Sequence, residues 1–147
     1  MKKITGIKIS RYDIGNGFFY EVHEDRDGFE AWIGLKDYGV MDFAIGVSKA
    51  SNTREGFLDM LEWSAVEDIA FFLYEHDELE YSHPDLFDEY KEQIYFVSKR
   101  AEYCQERGAL ARKLIDNGNP IGSPVYEEAI ADHRKAWEKA YAGAALF

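Results

Sequence analysis

Near residue 50 the hydrophobic pattern of this chain changes period, and no other feature of the sequence limits the fold as strongly. Before that point apolar residues alternate with polar ones. Four short runs stand out, Lys3–Ser10, Gly17–Glu24, Phe29–Leu35 and Val40–Val47, separated by the turn sequences Gly15-Asn16-Gly17, Asp25-Arg26-Asp27-Gly28 and Lys36–Gly39. Alternation gives each run one apolar face: Ile7 and Ile9; Phe18, Tyr20 and Val22; Ala31, Ile33 and Leu35; Met41, Phe43, Ile45 and Val47. The opposite face carries Lys8, Phe19, Glu21, His23, Glu30, Trp32, Lys36 and Asp42, with Phe19 and Trp32 as its apolar exceptions; a stabilising cross-strand pair between them is expected, with a small interaction patch as the alternative. One covered and one solvated face is ordinary for an antiparallel meander.

After residue 50 the spacing becomes helical. Asn52 precedes Glu55 by three, a capping-box pattern, and the stripe Phe57, Leu58, Leu61, Ala65, Ile69, Phe72 and Leu73 follows. Beyond Val66 the segment is apolar nearly all round, the mark of a helix buried on every side. Ser82 and Pro84 open a second helix expected to run to Asn117-Gly118, with a 4,3-spaced seam of Tyr90, Ile94, Val97, Ala101, Cys104, Gly108, Ala111 and Ile115 and a kink or break at Gly108. Ser123-Pro124 opens a third, with Tyr126, Ile130, His133, Trp137, Ala140 and Ala144 as the matching seam. The expected architecture is α+β in a single domain, 1–147: a four-stranded antiparallel β-meander (1–50), a central helix (53–80) and a long antiparallel helical hairpin (83–147). The alternative is two sub-modules, with the hairpin extending away as an oligomerising arm, and a homodimer through the heptad seams is the corresponding partner expectation.

Composition closes off several classes. With 46% apolar and 16% aromatic residues the chain has ample material for a core and no signature of disorder. No apolar run approaches the ~20 residues of a membrane span. A lone Cys104 excludes a disulfide framework and, with Lys2 and Lys3 preceding a stretch broken by Thr5, Gly6, Lys8 and Ser10, makes a cytoplasmic location the expectation. The net charge of −11 has the wrong sign for direct nucleic-acid binding.

That charge is concentrated. Between Glu55 and Glu92 there are 13 acids and one base, Lys91, whereas bases gather at Lys99, Arg100, Arg107, Arg112 and Lys113. The densest part presents Glu75, Asp77, Glu78, Glu80, Asp85, Asp88, Glu89 and Glu92, interleaved with Tyr74, Tyr81, Phe87 and Tyr90. The bland reading is a solvated connector. The functional reading is a docking face for a basic protein surface, in which carboxylates steer and tyrosines anchor. Its expected contacts are Glu75, Asp77, Glu78, Glu80, Tyr81, Asp85, Asp88, Glu89 and Glu92. In size and charge alone, the chain is similar to small acidic anti-restriction and anti-CRISPR proteins of phages and mobile elements. The resemblance implies an inhibitor of a nucleic-acid-handling enzyme, with carboxylates standing in for phosphates.

Candidate chemistry is thin, and neither enzyme activity nor a cofactor is expected; a small metal- or ligand-dependent enzyme is the alternative. His76, Asp77, Glu80, His83 and Asp85 lie within ten residues, but Pro84 places Glu80 and His83 on a loop rather than a metal-binding helix, and no second such pair exists. His133 and Cys104 fall on apolar stripes and read as packed residues. Asp68, between Ala65 and Ile69, is expected to be paired to a lysine or arginine; unpaired, it becomes a candidate general base. Gly15-Asn16-Gly17 and Gly118–Gly122 lack the setting of a phosphate loop.

Overall fold

The computed structural model describes residues 6–141. They are α+β, and the chain divides between Gln93 and Ile94 into two compact units. The first holds a four-stranded antiparallel sheet of β1 (Lys8–Gly15), β2 (Phe18–Glu24), β3 (Gly28–Leu35) and β4 (Met41–Ser48) in sequential order. It continues with α1 (Arg54–Glu75), a 3₁₀ turn (Asp77–Glu80) and α2 (Pro84–Glu89). Helix α3 (Lys91–Asp116) leads into the second unit, which α4 (Pro124–Ala140) completes.

Strand β1 lies further along the chain than Lys3–Ser10. The two-residue turn Asn16-Gly17, both at positive φ, sets a register in which Tyr12 faces Tyr20 and Lys8 faces Glu24. Its inward residues are therefore Ser10, Tyr12 and Ile14, whereas Ile7 and Ile9 are exposed. Residues 3–5 of the expected first run lie outside the described residues, as does Ala144 of the expected third seam.

A second departure is a bulge in β4. Ala31 faces Ile45 but Trp32 faces Phe43, so Ala44 is an extra residue and the alternation of β4 inverts there. Ile45 and Val47 stay on the helix-covered face. Met41 and Phe43 move to the exposed face beside Trp32, and Asp42 turns toward the end of α1. Phe19 and Trp32 do not pair, because Phe19 faces Gly34 and Trp32 faces Glu21. Trp32 instead meets Phe43 edge-on at 5.3 Å, and the Arg11 guanidinium lies 4.4 Å over the Phe19 ring.

The first core forms where α1 crosses the other face of the sheet. Phe57 stacks on Phe29 at 5.3 Å, and Phe72 meets Phe18 edge-on at 5.9 Å. Thr53, not Asn52, caps α1: its hydroxyl accepts from the Gly56 N–H at 3.1 Å, while the Asn52 amide donates to the Ser48 carbonyl. The helix stops at Glu75 rather than reaching 80, since His76 leaves helical geometry at φ −118°, ψ 58°. Burial is not complete all round: Ile69, Ala70, Phe72 and Leu73 are buried, but Val66 and Phe71 are exposed.

The expected long second helix is broken at Tyr90, not at Gly108. Tyr90 sits between α2 and α3 at φ −101°, ψ 14°, buried and fixed by tertiary contacts that outweigh helix continuity. Gly108 lies within the unbroken α3. The seam of α3 holds in its first half, where Val97 is buried and Ile94 and Ala101 are half-buried, and is rotated beyond it: Cys104, Gly108 and Ile115 are exposed, Tyr103 is buried and Leu110 and Leu114 are half-buried. Tyr103, with more area to bury than Cys104, takes the inward position there. Helices α3 and α4 are antiparallel: the Lys99 ammonium lies 5.3 Å from the Tyr141 ring, and Tyr103 meets Trp137 at 5.7 Å.

Candidate functional site

Residues 75–92 form an ordered acidic ridge. Glu75 ends α1, Asp77, Glu78 and Glu80 lie on the 3₁₀ turn, Asp85, Asp88 and Glu89 lie on α2, and Glu92 is in the first turn of α3. All eight carboxylates are exposed, and Tyr81 is 96% exposed. Among the described residues a lysine or arginine reaches this set once, where Lys91 lies 3.8 Å from Asp88.

The ridge is fixed from below by the two sheet turns nearest it. At one end the Tyr38 hydroxyl, on the β3–β4 connection, donates to Glu78. His76 completes this latch, with Nε2 2.8 Å from the Asp42 carboxylate and Nδ1 3.3 Å from Tyr38 Oη and 3.6 Å from Glu78. The β4 bulge is what brings Asp42 here. The imidazole side chain is 16% exposed and packs on Phe72 at 4.5 Å. The Tyr38 hydrogen bond holds the Glu78 carboxyl below its ordinary range and, reciprocally, the Tyr38 phenol above its own. At the other end Asn16, on the β1–β2 turn, donates to Tyr90 Oη at 2.7 Å and to Glu89 at 3.2 Å. Leu79 and Tyr90 are the ridge's buried apolar feet.

Local electrostatics does not favour this arrangement. Glu75 sits at the negative end of the α1 dipole, and the last turn of that helix has no basic residue. Such placement costs about 0.3–1 kcal/mol where exposed. Asp85 and Glu92 are better placed, in the first turns of α2 and α3.

Asp68 forms a separate polar site. Its carboxylate accepts from Tyr20 Oη at 2.5 Å and Ser64 Oγ at 3.0 Å, so hydroxyls take the place of the cation expected from the sequence. Burial raises the Asp68 carboxyl, opposed by the two hydroxyls; burial and the neighbouring Asp68 push the Tyr20 phenol up. Asp68 lines a small hollow of about 230 Å³ with Asp42, Phe71 and Phe72. The other flagged residues stand apart. His83 bonds Ser82, and no group of three or more His, Cys, Asp or Glu able to hold a metal occurs among the described residues. His133 stacks on Tyr103 at 5.2 Å, with Nε2 3.4 Å from Glu106, which also accepts from the Trp137 indole at 2.8 Å.

Sequence reasoning missed the latch of Tyr38, Asp42 and His76, because a bulge and a chain reversal bring it together. It also passed over Trp63, 91% exposed on α1, whose acidic neighbours Asp59 and Glu62 were the available signal. No protein-family model, curated protein or solved structure matches this chain.

Proposed function

We propose that this chain is a non-enzymatic binding protein that docks on a basic protein surface through the ridge of Glu75, Asp77, Glu78, Glu80, Tyr81, Asp85, Asp88, Glu89 and Glu92. The supporting observation is exposed carboxylates on a backbone already anchored at Tyr38, His76, Leu79, Asn16 and Tyr90. Preorganisation matters because ordering a flexible acidic loop on binding would consume much of the interaction energy. A fixed array of carboxylates also suits a surface built to hold phosphates, so the partner we favour is a nucleic-acid-handling enzyme whose nucleic-acid site is occupied. An inhibitor of the phage or mobile-element anti-defence kind is the specific form of this reading.

The test reverses four carboxylates in one variant, Glu75→Lys, Glu80→Lys, Asp85→Lys and Glu92→Lys, with circular dichroism confirming the fold. The wild type should retain, at 150 mM salt, nucleic-acid-binding proteins that duplex DNA displaces, and the variant should lose them. Equal retention by both proteins refutes the docking ridge.

A further inference from the structure

The outward side of α1 extends the acidic surface and gives it an apolar centre. Trp63 is 91% exposed, and Val66, one turn further along, is exposed as well. An indole left almost wholly in water forgoes the largest burial term a side chain can contribute, and exposed apolar groups with polar rims mark interaction sites. An open hollow of about 500 Å³ lies beside it, lined by Asp59, Glu62 and Trp63. Asp59 stands one helical turn from both Glu62 and Trp63, at i+3 and i+4, and all three line this hollow. Among the described residues neither Asp59 nor Glu62 has an ion-pair or hydrogen-bond partner, and no lysine or arginine occurs between Arg54 and Lys91.

The chemistry of this hollow selects its occupant. Carboxylates repel an anion. A neutral apolar segment covering the indole would strip water from Asp59 and Glu62 without replacing it, a costly outcome for charged groups. A guanidinium meets both demands: its flat face stacks on an indole, and its N–H fork donates to carboxylates. We propose that Trp63 is the anchor of the docking surface, occupied by an arginine of a basic protein partner that stacks on the indole and pairs with Asp59 and Glu62. This rests on the reading of the chain as an acidic docking protein and locates its binding hot spot, where tryptophan and arginine are the enriched residues.

The probe is decaarginine, with the neutral isostere decacitrulline as control, titrated into the intact ¹⁵N-labelled protein at 150 mM salt. The indole N–H signals of Trp32, Trp63 and Trp137 report position, and Trp63→Phe assigns the middle one. Decaarginine should move the Trp63 signal and decacitrulline should not. Trp63→Ala should weaken decaarginine about tenfold, Trp63→Phe less, and the pair Asp59→Asn with Glu62→Gln comparably to Trp63→Ala. Because Trp63 is exposed, these changes leave the fold intact, which circular dichroism checks. Unchanged affinity in Trp63→Ala, with loss in the four-carboxylate reversal, overturns the anchor and leaves the ridge standing. Unchanged affinity in both variants removes both. A Trp63 signal that moves with protein concentration alone assigns the face to a second copy and overturns the proposal, as does absence of decaarginine binding.

Discussion

Tyr20→Phe isolates the buried polar site with little collateral change. The Tyr20 ring is 1% exposed and remains in place when the hydroxyl is removed, so almost no apolar contact is lost. What disappears is the 2.5 Å donor to Asp68, leaving Ser64 at 3.0 Å. A hydrogen bond to a charged group contributes about 1.5–3 kcal/mol, so the variant should lose about 2 kcal/mol at pH 7. For a chain of this size that corresponds to about 4–8 °C in Tm. The pH dependence has a definite sign. Burial raises the folded Asp68 carboxyl above its ordinary range. Its contribution to stability is therefore fully present below the unfolded value and is lost as pH rises through the folded one. Removing the Tyr20 hydroxyl withdraws a group that favours the ionised form, so the carboxyl rises further and the loss steepens. Urea unfolding followed by circular dichroism should show a larger cost at pH 7 than near pH 3.5. In an Asp68→Asn background the cost should fall to about 1 kcal/mol, the worth of a neutral hydrogen bond. Equal costs at both pH values and in both backgrounds would refute the assignment of an ionised, hydroxyl-paired Asp68.

Gly28→Ala should destabilise the sheet by about 1–3 kcal/mol, because the new Cβ would lie 2.4 Å from the Val47 carbonyl oxygen of the neighbouring strand; a urea midpoint at the wild-type value would contradict that. His76→Ala should release the latch locally, with hydrogen exchange at the Leu79 and Tyr81 amides at least tenfold faster and the amides of β2 and β3 unchanged; uniform exchange across both regions would deny the latch. Native Cys104 should react with a thiol reagent at close to its unfolded rate, since it is exposed on α3; strong native protection would restore the seam read from spacing.

The strand runs were legible because period two needs only local counting, and β2 and β3 fall within one residue of the sequence reading. The faces were less so. Met41-Asp42-Phe43-Ala44-Ile45 alternates without interruption, and nothing in those letters announces the extra residue at Ala44. The bulge is a property of pairing with β3, and pairing is non-local. In α3 the even 4,3 interval holds through Ala101 and then slips by one position, so that Tyr103 and Leu114 lie inward where Cys104 and Ile115 were expected; Tyr103 has more area to bury than Cys104. The break at Tyr90 was hidden for the same reason as the latch, because the groups that hold Tyr90, Asn16 and Phe18, lie more than seventy residues away. The ridge itself was visible as composition; what holds it was not.

A sequence that specifies one fold tends to obey local rules at every level, and breaches that the fold tolerates point to function. This chain has three breaches in its acidic stretch. Glu75 opposes the dipole of its own helix, Trp63 stands 91% exposed on a helix that buries Phe57, Leu61, Ile69, Phe72 and Leu73, and thirteen acids share a segment with one base. Each works against solitary stability, through dipole opposition, unburied area or self-repulsion. The fold supports them with anchors of no evident use to a mere connector: the latch of Tyr38, Asp42 and His76, and the Asn16 clasp on Tyr90 and Glu89. A solvated linker needs neither the exposed indole nor the clasps, because mutual repulsion is relieved most readily by letting the chain move. Exposed carboxylates on a clasped backbone, with an open indole on the helix that leads into them, make physical sense when a complementary surface is to meet them.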